Sequence, residues 1–390
     1  MSEAHPAKVS GSGVRVLITG GGTGGHVYPG LAVADSLRRL VPAADVRFAG
    51  TRGGIESVLV PRAGYRLHTV PASGLRGLGH KARALFVLNF LGGVGRSLGL
   101  LLVWRPAVVL GTGGFVSAPV MTAARLLGVP CTLQEQNAIP GSTNRLVGRW
   151  ARRIYLGFGV AAKFFRAGVC RTTGNPVRQA FLAAAAGGGI ASGADPALAN
   201  FGQPGRRVLI FGGSGGARTL NNAVQAAGAQ LPETAGAAFL IQTGKSAVET
   251  VHASLASERI RVTAYIDDMA QALLWADLVV CRAGAMTLAE LQVVGRPAVL
   301  VPFPHATDNH QLHNAQDLEN AGAALVLKDE DCSGAALATI IGELLADPTR
   351  LRDMATAARS QARPQAATEI ARDLLELAGH PAGLRLASHT

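Results

Sequence analysis

Residues 277–315, DLVVCRAGAMTLAELQVVGRPAVLVPFPHATDNHQLHNA, concentrate the side chains that could hold an anionic ligand. An apolar run, Asp277–Cys281, meets a glycine turn and a helix pattern. A second apolar run, Pro297–Val301, then leads into the polar loop Asp308, Asn309, His310 and Gln311. Thr287-Leu288-Ala289-Glu290 fits a capping box, which predicts Thr287 as the helix cap. Amides at the positive end of a helix dipole attract phosphate. Two readings stand side by side: a nucleotide site, or a capped core helix in which Glu290 only completes its cap.

Three glycine-rich turns, each directly after an apolar run, offer further anion cradles: Gly20–Gly25, Gly111–Gly114 and Gly212–Gly216. The first contains G-x-G-x-x-G, alone a weak dinucleotide signal. An NAD site wants an acidic residue roughly 20 positions later. Here Phe48 runs into Ala49-Gly50-Thr51-Arg52, which disfavours NAD. Gly244-Lys245-Ser246 imitates the end of a P-loop, but Phe239 stands where its first glycine belongs, which excludes a Walker motif. Asp329-Glu330-Asp331 resembles a metal-binding D-x-D but reads as a solvated turn. No metal and no cofactor is expected. His26 follows the first loop, ahead of a helix expected over Pro29–Arg39; a helix N-terminus favours the neutral, base-competent imidazole. A packing histidine is the plainer reading.

The elements that must position these groups alternate. Strand and helix patterns run Val14–Thr19, Asp45–Phe48, Ile55–Val60, Leu67–Val70, Ala107–Leu110, Ser117–Leu127, Cys131–Gln134, Thr143–Trp150 and Arg153–Tyr155. Such alternation predicts βαβ units and a parallel sheet, an α/β fold. After the Ala-, Gly- and Pro-rich segment 179–205, read as a linker with a short helix inside it, the pattern restarts at Arg207–Phe211. Two doubly wound domains with a cleft between them follow. The expected divisions are a leader over 1–13, a first domain over 14–178, a second over 206–362, and a C-terminal helix over 363–380 that returns to the first.

With 390 residues and 48% hydrophobic content, the chain can bury two cores. Net charge is +12, and its distribution is uneven: residues 1–178 hold 22 Lys+Arg against 5 Asp+Glu, a net of +17, and the remainder is net −5. A basic half implies an acidic partner. Aromatic content of 5% offers few stacking platforms and no nucleic-acid motif is present, so membrane or phosphate is favoured over nucleic acid. Leu75–Arg105 mixes basic residues, including Lys81 and Arg83, with Leu, Phe and Trp. It suits the plane of an anionic membrane better than a span, because Asn89, Arg96 and four glycines interrupt its apolar part. The four scattered cysteines fit a reducing compartment, and the polar N-terminus does not resemble an export signal.

Several of these motifs occur together in an order that resembles a known family. GGGTGGHVYPGLAVADSL (20–37), GTGGFVSAPV (111–120), EQNAIPGSTNR (135–145), GNPVR (174–178), FGGSGGARTLN (211–221), YIDDM (265–269), CRAGAMTLAE (281–290) and PFPHATDNHQLHNA (302–315) are similar to the MurG-type N-acetylglucosaminyltransferases. The resemblance implies the GT-B fold, two Rossmann-like doubly wound parallel-sheet domains facing across a cleft. It implies inverting transfer of GlcNAc from UDP-GlcNAc to the muramyl 4-hydroxyl of undecaprenyl-linked lipid I, giving lipid II. The enzyme would sit peripherally at the cytoplasmic face of the inner membrane.

Carried onto this chain, the resemblance implies that the backbone of Ile266 meets uracil and Glu290 the ribose. Ala285, Met286, Thr287, Leu288 and Ala289 form the turn facing the diphosphate, and Ser214 contacts phosphate. Gln311 and Asn314 face the sugar, Arg178 is a linker arginine, and Asn137, Thr23, Gly24 and Gly25 are donor contacts from the other wall. His26 is implicated in acceptor activation. Three departures stand out: Gln134 replaces a common His, Gly215 a common Gln, and Phe115 a common Tyr. The rivals are another GT-B enzyme with a different acceptor, and a non-catalytic sugar-nucleotide sensor.

Overall fold

In the computed structural model, residues 13–74, 80–187, 198, 201–202, 206–213, 215–228, 230–233, 236–255 and 257–384 are described. Ser214, most of the expected leader and most of the segment 188–205 lie outside them, as do 75–79 and the side chains of 80–84, which include Lys81 and Arg83. The chain divides into two units. The N-terminal unit comprises residues 1–136, 140–176 and 365–390; the C-terminal unit comprises 137–139 and 177–364.

The N-terminal unit is built on seven parallel strands: β1 (Arg15–Gly20), β2 (Asp45–Gly50), β3 (Arg66–Thr69), β4 (Val108–Gly113), β5 (Cys131–Glu135), β6 (Arg153–Leu156) and β7 (Cys170–Thr172). Their order is 3-2-1-4-5-6-7, which reverses direction between β1 and β4. Val16 and Ile18 enter one core while Leu17 enters another, so successive residues of one strand are buried on opposite faces. That explains the unbroken apolar runs in the sequence. The helices are α1 (Gly24–Leu40), α2 (Glu56–Arg62), α3 (His80–Trp104), α4 (Ser117–Leu126) and α5 (Ser142–Gly148).

The C-terminal unit opens with α6 (Gln179–Ala185), inside the expected linker, which packs on two later helices of the same unit. Six parallel strands follow: β8 (Arg207–Phe211), β9 (Ala238–Gln242), β10 (Ile260–Thr263), β11 (Leu278–Cys281), β12 (Ala298–Leu300) and β13 (Ala324–Val326). Their order, 10-9-8-11-12-13, repeats the reversal, now between β8 and β11. The helices are α7 (Arg218–Ala227), α8 (Gln230–Glu233), α9 (Val248–Ser254), α10 (Met269–Trp275), α11 (Ala285–Val294), α12 (His310–Asn320), α13 (Gly334–Ala346) and α14 (Pro348–Ser360).

The chain then rejoins the N-terminal unit through α15 (Ala366–Leu377) and α16 (Pro381–Leu384). Ile370, Ala371, Leu374 and Leu375, spaced along one helical face, enter the core shared with Val27 and Leu31 of α1. Asp373, on the same helix, accepts from Tyr155 Oη and from Arg171. Burial and this carboxylate push the Tyr155 hydroxyl well above its ordinary pKa.

Three local expectations change. Helix α1 begins at Gly24, five residues before Pro29, so His26 lies in its first turn and Pro29 inside the helix. Helix α11 begins at Ala285 with Gly284 as its cap, so Thr287 is not the cap and Glu290 does not close a capping box. The turn Arg282–Gly284 is short, and a small residue ends it before Thr287 is reached. Asp329 is also not simply solvated: it pairs with Arg282 and accepts from Thr219 Oγ1 (3.0 Å).

Candidate functional site

In the N-terminal unit the first glycine loop leads into α1. Thr23 caps that helix with extended backbone, and its exposed Oγ1 lies 3.2 Å from His26 Nδ1. Gly24 and Gly25 form the first turn. His26 Nδ1 is 3.0 Å from the Gly21 carbonyl oxygen. A carbonyl only accepts, so in the neutral imidazole Nδ1 carries the proton and Nε2 the lone pair. That is the tautomer a general base needs. The ring edge holding Nε2 rests against Gly113, whose φ of +105° and missing side chain permit the approach; a Cβ there would stand 2.8 Å from His26 Cδ2. The second glycine turn therefore makes room for the histidine of the first.

A residue that sequence reading passed over holds this loop in shape. Glu56, at the start of α2, is 1% exposed. Its Oε1 accepts from Thr51 N (2.8 Å) and Thr51 Oγ1 (2.6 Å), and its Oε2 from Gly22 N (3.0 Å). Cβ atoms at Gly21, Gly50 or Gly54 would each collide with its side chain, so three glycines enclose one carboxylate. Burial opposes its charge, but these donors outweigh burial and set its pKa below the ordinary value. The available signal was one acidic residue in the apolar run Ile55–Val60.

Glu56→Ala strands three donors, so a loss of about 2–4 kcal/mol is expected. Because the native pKa is depressed, the stability this group supplies is present above its unfolded pKa. It is lost as pH falls through the native value. Thermal unfolding from pH 7 downward should show the wild type losing more of its stability than Glu56→Ala.

Gln134, where a His is common in the resembling family, sits in a buried amide network. Its Nε2 donates to Asn175 Oδ1 (2.9 Å), Asn175 Nδ2 donates to the Gln136 carbonyl (2.9 Å), and Gln136 Nε2 bonds to Gln134 Oε1. The position has no titrating group. Phe115, the other departure in this unit, lies beside Gly22.

In the C-terminal unit the strand ends are level: Phe211 of β8 pairs with Gln242 of β9 and Cys281 of β11. The turns after β8, β9, β10, β11 and β12 therefore share one edge, where open parallel sheets bind ligands. Ile266, half-buried, lies in the turn after β10. Gly212, Gly213, Gly215 and Gly216 lie after β8, and a side chain at Gly215 would meet nothing within 4 Å. Its glycine thus removes a donor without being required for space. Ala285, Met286, Thr287, Leu288 and Ala289 form the opening of α11 at the reversal point between β8 and β11.

Glu290, one turn into α11, is 8% exposed. It accepts from Arg178 Nη2 at 3.1 Å, and Arg178 caps α6 with its guanidinium over the Phe181 ring. Burial raises the Glu290 pKa, and Arg178 opposes that rise without cancelling it. On α12, the fully buried Asn314 accepts from Ala138 N (2.9 Å) and donates to Asn137 Oδ1 (3.2 Å) and the Ala283 carbonyl (3.4 Å). One amide side chain so joins the 137–139 segment to the turn before α11. Gln311, one turn earlier, accepts from Phe303 N (3.0 Å) and fixes the loop after β12. The structure thus pairs Arg178 with Glu290 and Asn137 with Asn314. Among the described residues no cluster of three metal-ligating side chains occurs.

The sequence profile of the glycosyltransferase family 28 N-terminal domain matches residues 16–156, and that of the family 28 C-terminal domain matches 207–370. The UDP-N-acetylglucosamine–N-acetylmuramyl-(pentapeptide) pyrophosphoryl-undecaprenol N-acetylglucosamine transferase of Nitratidesulfovibrio vulgaris is 45% identical over 375 residues, covering 91% of this chain and 95% of that one. The enzyme of the same name from Salinibacter ruber is 44% identical over 367 residues, covering 93% and 97%. The crystal structure of Acinetobacter baumannii MurG superposes with a TM-score of 0.72 at 30% identity, over 93% of this chain and 99% of that one. The kitacinnamycin glycosyltransferase, at 17% identity and a TM-score of 0.66, shares the GT-B fold alone. The chain belongs to glycosyltransferase family 28 and, within it, to the MurG-type N-acetylglucosaminyltransferases.

Proposed function

We propose that the chain transfers GlcNAc from UDP-GlcNAc, with inversion, to the 4-hydroxyl of the muramyl sugar of undecaprenyl-linked lipid I. The observation that carries this reading is the contact of His26 Nδ1 with the Gly21 carbonyl, which in the neutral imidazole puts the proton on Nδ1 and the lone pair on Nε2. His26 takes the acceptor hydroxyl's proton as that oxygen attacks the anomeric carbon. The sugar–phosphate bond breaks, and the charge left on UDP falls on the amides opening α11 and on the turn after β8. Glu290 binds the ribose, Ile266 the uracil through its backbone, and Gln311 and Asn314 the sugar. Arg178 holds Glu290 in place. Asn137, Thr23, Gly24, Gly25 and Ser214 complete the donor contacts. Incubation with labelled UDP-GlcNAc and a lipid I analogue should give a labelled lipid II analogue; absence of product from folded enzyme would refute the reading.

The enzyme works on the cytoplasmic membrane surface, attached through α3. Leu85–Trp104 is long and apolar enough to cross a membrane, with a mean hydropathy of 1.7. What favours attachment is that one side of α3 is tied into the N-terminal unit. Leu101 and Trp104 enter its core, Trp104 Nε1 donates to Asp45 (2.8 Å) and Arg96 Nε to the Thr69 carbonyl (2.8 Å). On the other side Leu88 and Leu91 stand 65% and 59% exposed. Replacing both by Glu removes two apolar anchors, about 1.5–3 kcal/mol each, and adds two negative charges. Sedimentation with phosphatidylglycerol vesicles should fall at least tenfold, with UDP-GlcNAc binding unchanged.

A further inference from the structure

A cavity of about 550 Å³ in the N-terminal unit lies apart from the glycine loops. Its walls are the turn after β2, with Thr51 and Arg52, the chain following β3, from Thr69 and Val70, and the side of α3 that carries Asn89 and Arg96. It opens at the carboxyl ends of β2 and β3, the edge on which open α/β sheets bind ligands. None of its lining residues is acidic. Arg96 is anchored by its Nε on the Thr69 carbonyl, which leaves both Nη groups for a ligand. Arg52 is exposed and has no carboxylate partner among the described residues. Two guanidinium groups over one concave, acid-free surface suit a bidentate oxyanion.

Two neighbouring features narrow the anion. Asn89 and Arg96, seven residues apart, lie on one stripe of α3, and Leu88 and Leu91 on the adjoining stripe are exposed. An anion seated here would therefore border an apolar strip, as it would if it carried a hydrocarbon tail. Thr51, in the cavity wall, donates through N and Oγ1 to Glu56, which also accepts from Gly22 of the loop leading to His26. A single buried carboxylate thus braces the cavity wall and that loop together.

We infer that this cavity binds the diphosphate of a polyprenyl-diphosphate-linked sugar, with Arg52 and Arg96 neutralising it and the prenyl chain following the exposed strip of α3. The inference rests on the reading of a lipid-linked acceptor. The test uses the full-length chain and a short-chain prenyl-diphosphate acceptor, soluble without detergent or vesicles. A wild-type enzyme that transfers nothing to it overturns that underlying reading before any variant is made. With wild-type transfer in hand, Arg52→Ala/Arg96→Ala is expected to raise the acceptor KM about a hundredfold, roughly tenfold per charge-assisted contact. The donor KM and kcat should stay unchanged, and Arg52→Lys/Arg96→Lys should recover part of the loss. An unchanged acceptor KM overturns the inference, and if phosphatidylglycerol vesicle binding falls at the same time, the two arginines serve phospholipid headgroups instead. A parallel rise in donor KM would also overturn it, since that marks a general disturbance of the fold.

Discussion

His26→Ala should lower kcat about 10²–10⁴-fold, the usual contribution of a positioned general base, and leave the UDP-GlcNAc KM close to wild type. The split follows from placement: His26 belongs to the N-terminal unit, whereas Glu290, Arg178, Asn137 and Asn314 belong to the C-terminal one. Alanine alone leaves an ambiguity, because Nδ1 also holds the Gly21 carbonyl and so helps shape the loop. His26→Asn resolves it. An asparagine amide can still donate to Gly21 but has no basic nitrogen, so it should be as slow as alanine. Recovery of activity in His26→Asn would make His26 a loop-positioning residue and pass the proton to another group. A binding-only protein would show no catalytic loss in either variant, because it would have no turnover to lose.

The fold was legible because its strands are buried on both sides. Val16, Leu17 and Ile18 fill alternate cores, so they appear as an unbroken apolar run, and the same holds for Leu278–Cys281. The restart at Arg207 after the Ala- and Gly-rich segment showed two similar halves for the same reason. Helix starts were read less well. Proline is often the first helical residue, so Pro29 suggested a start that Gly24 in fact makes, and a capping-box pattern drew attention to Thr287 when Gly284 is the cap. Each misreading placed the residue of interest outside or at the edge of a helix that already contains it.

Site residues divided along another line. His26, Glu290 and Gln311 stand in motifs, and local pattern led to them. The contacts that hold the candidate site together are not local. Asn314 meets Asn137 across 177 residues, Arg178 meets Glu290 across 112, and Glu56 reaches Gly22 across 34. No periodicity encodes such pairs, since the partners come from segments far apart in the chain that only the fold brings together. Glu56 was the hardest to see, being a charged residue whose donors are mostly backbone amides, one of a glycine and one of a threonine.

Glu290→Gln should raise the UDP-GlcNAc KM about 10–100-fold while kcat at saturating donor changes little. A carboxylate accepting from ribose hydroxyls makes charge-assisted hydrogen bonds of about 1.5–3 kcal/mol, and an amide oxygen in the same place recovers only part of that. The pH dependence is the sharper test. Burial raises the Glu290 pKa, so its charged form, the one proposed to bind ribose, is depleted at a higher pH than for an ordinary carboxylate. As pH falls from neutrality the wild-type donor KM should therefore climb early, and in Glu290→Gln this limb should be absent. The linkage to stability has the opposite sign to that of Glu56. With a native pKa above the unfolded one, the favourable contribution exists at low pH and is lost as pH rises through the native value, so the charged side chain is a cost near neutrality. Glu290→Gln should consequently melt no lower than wild type at neutral pH, even though it binds donor more weakly. Loss of affinity without loss of stability is what a residue kept for its ligand would show; if both fell together, Glu290 would be an element of the core held by Arg178, and the ribose assignment would be wrong.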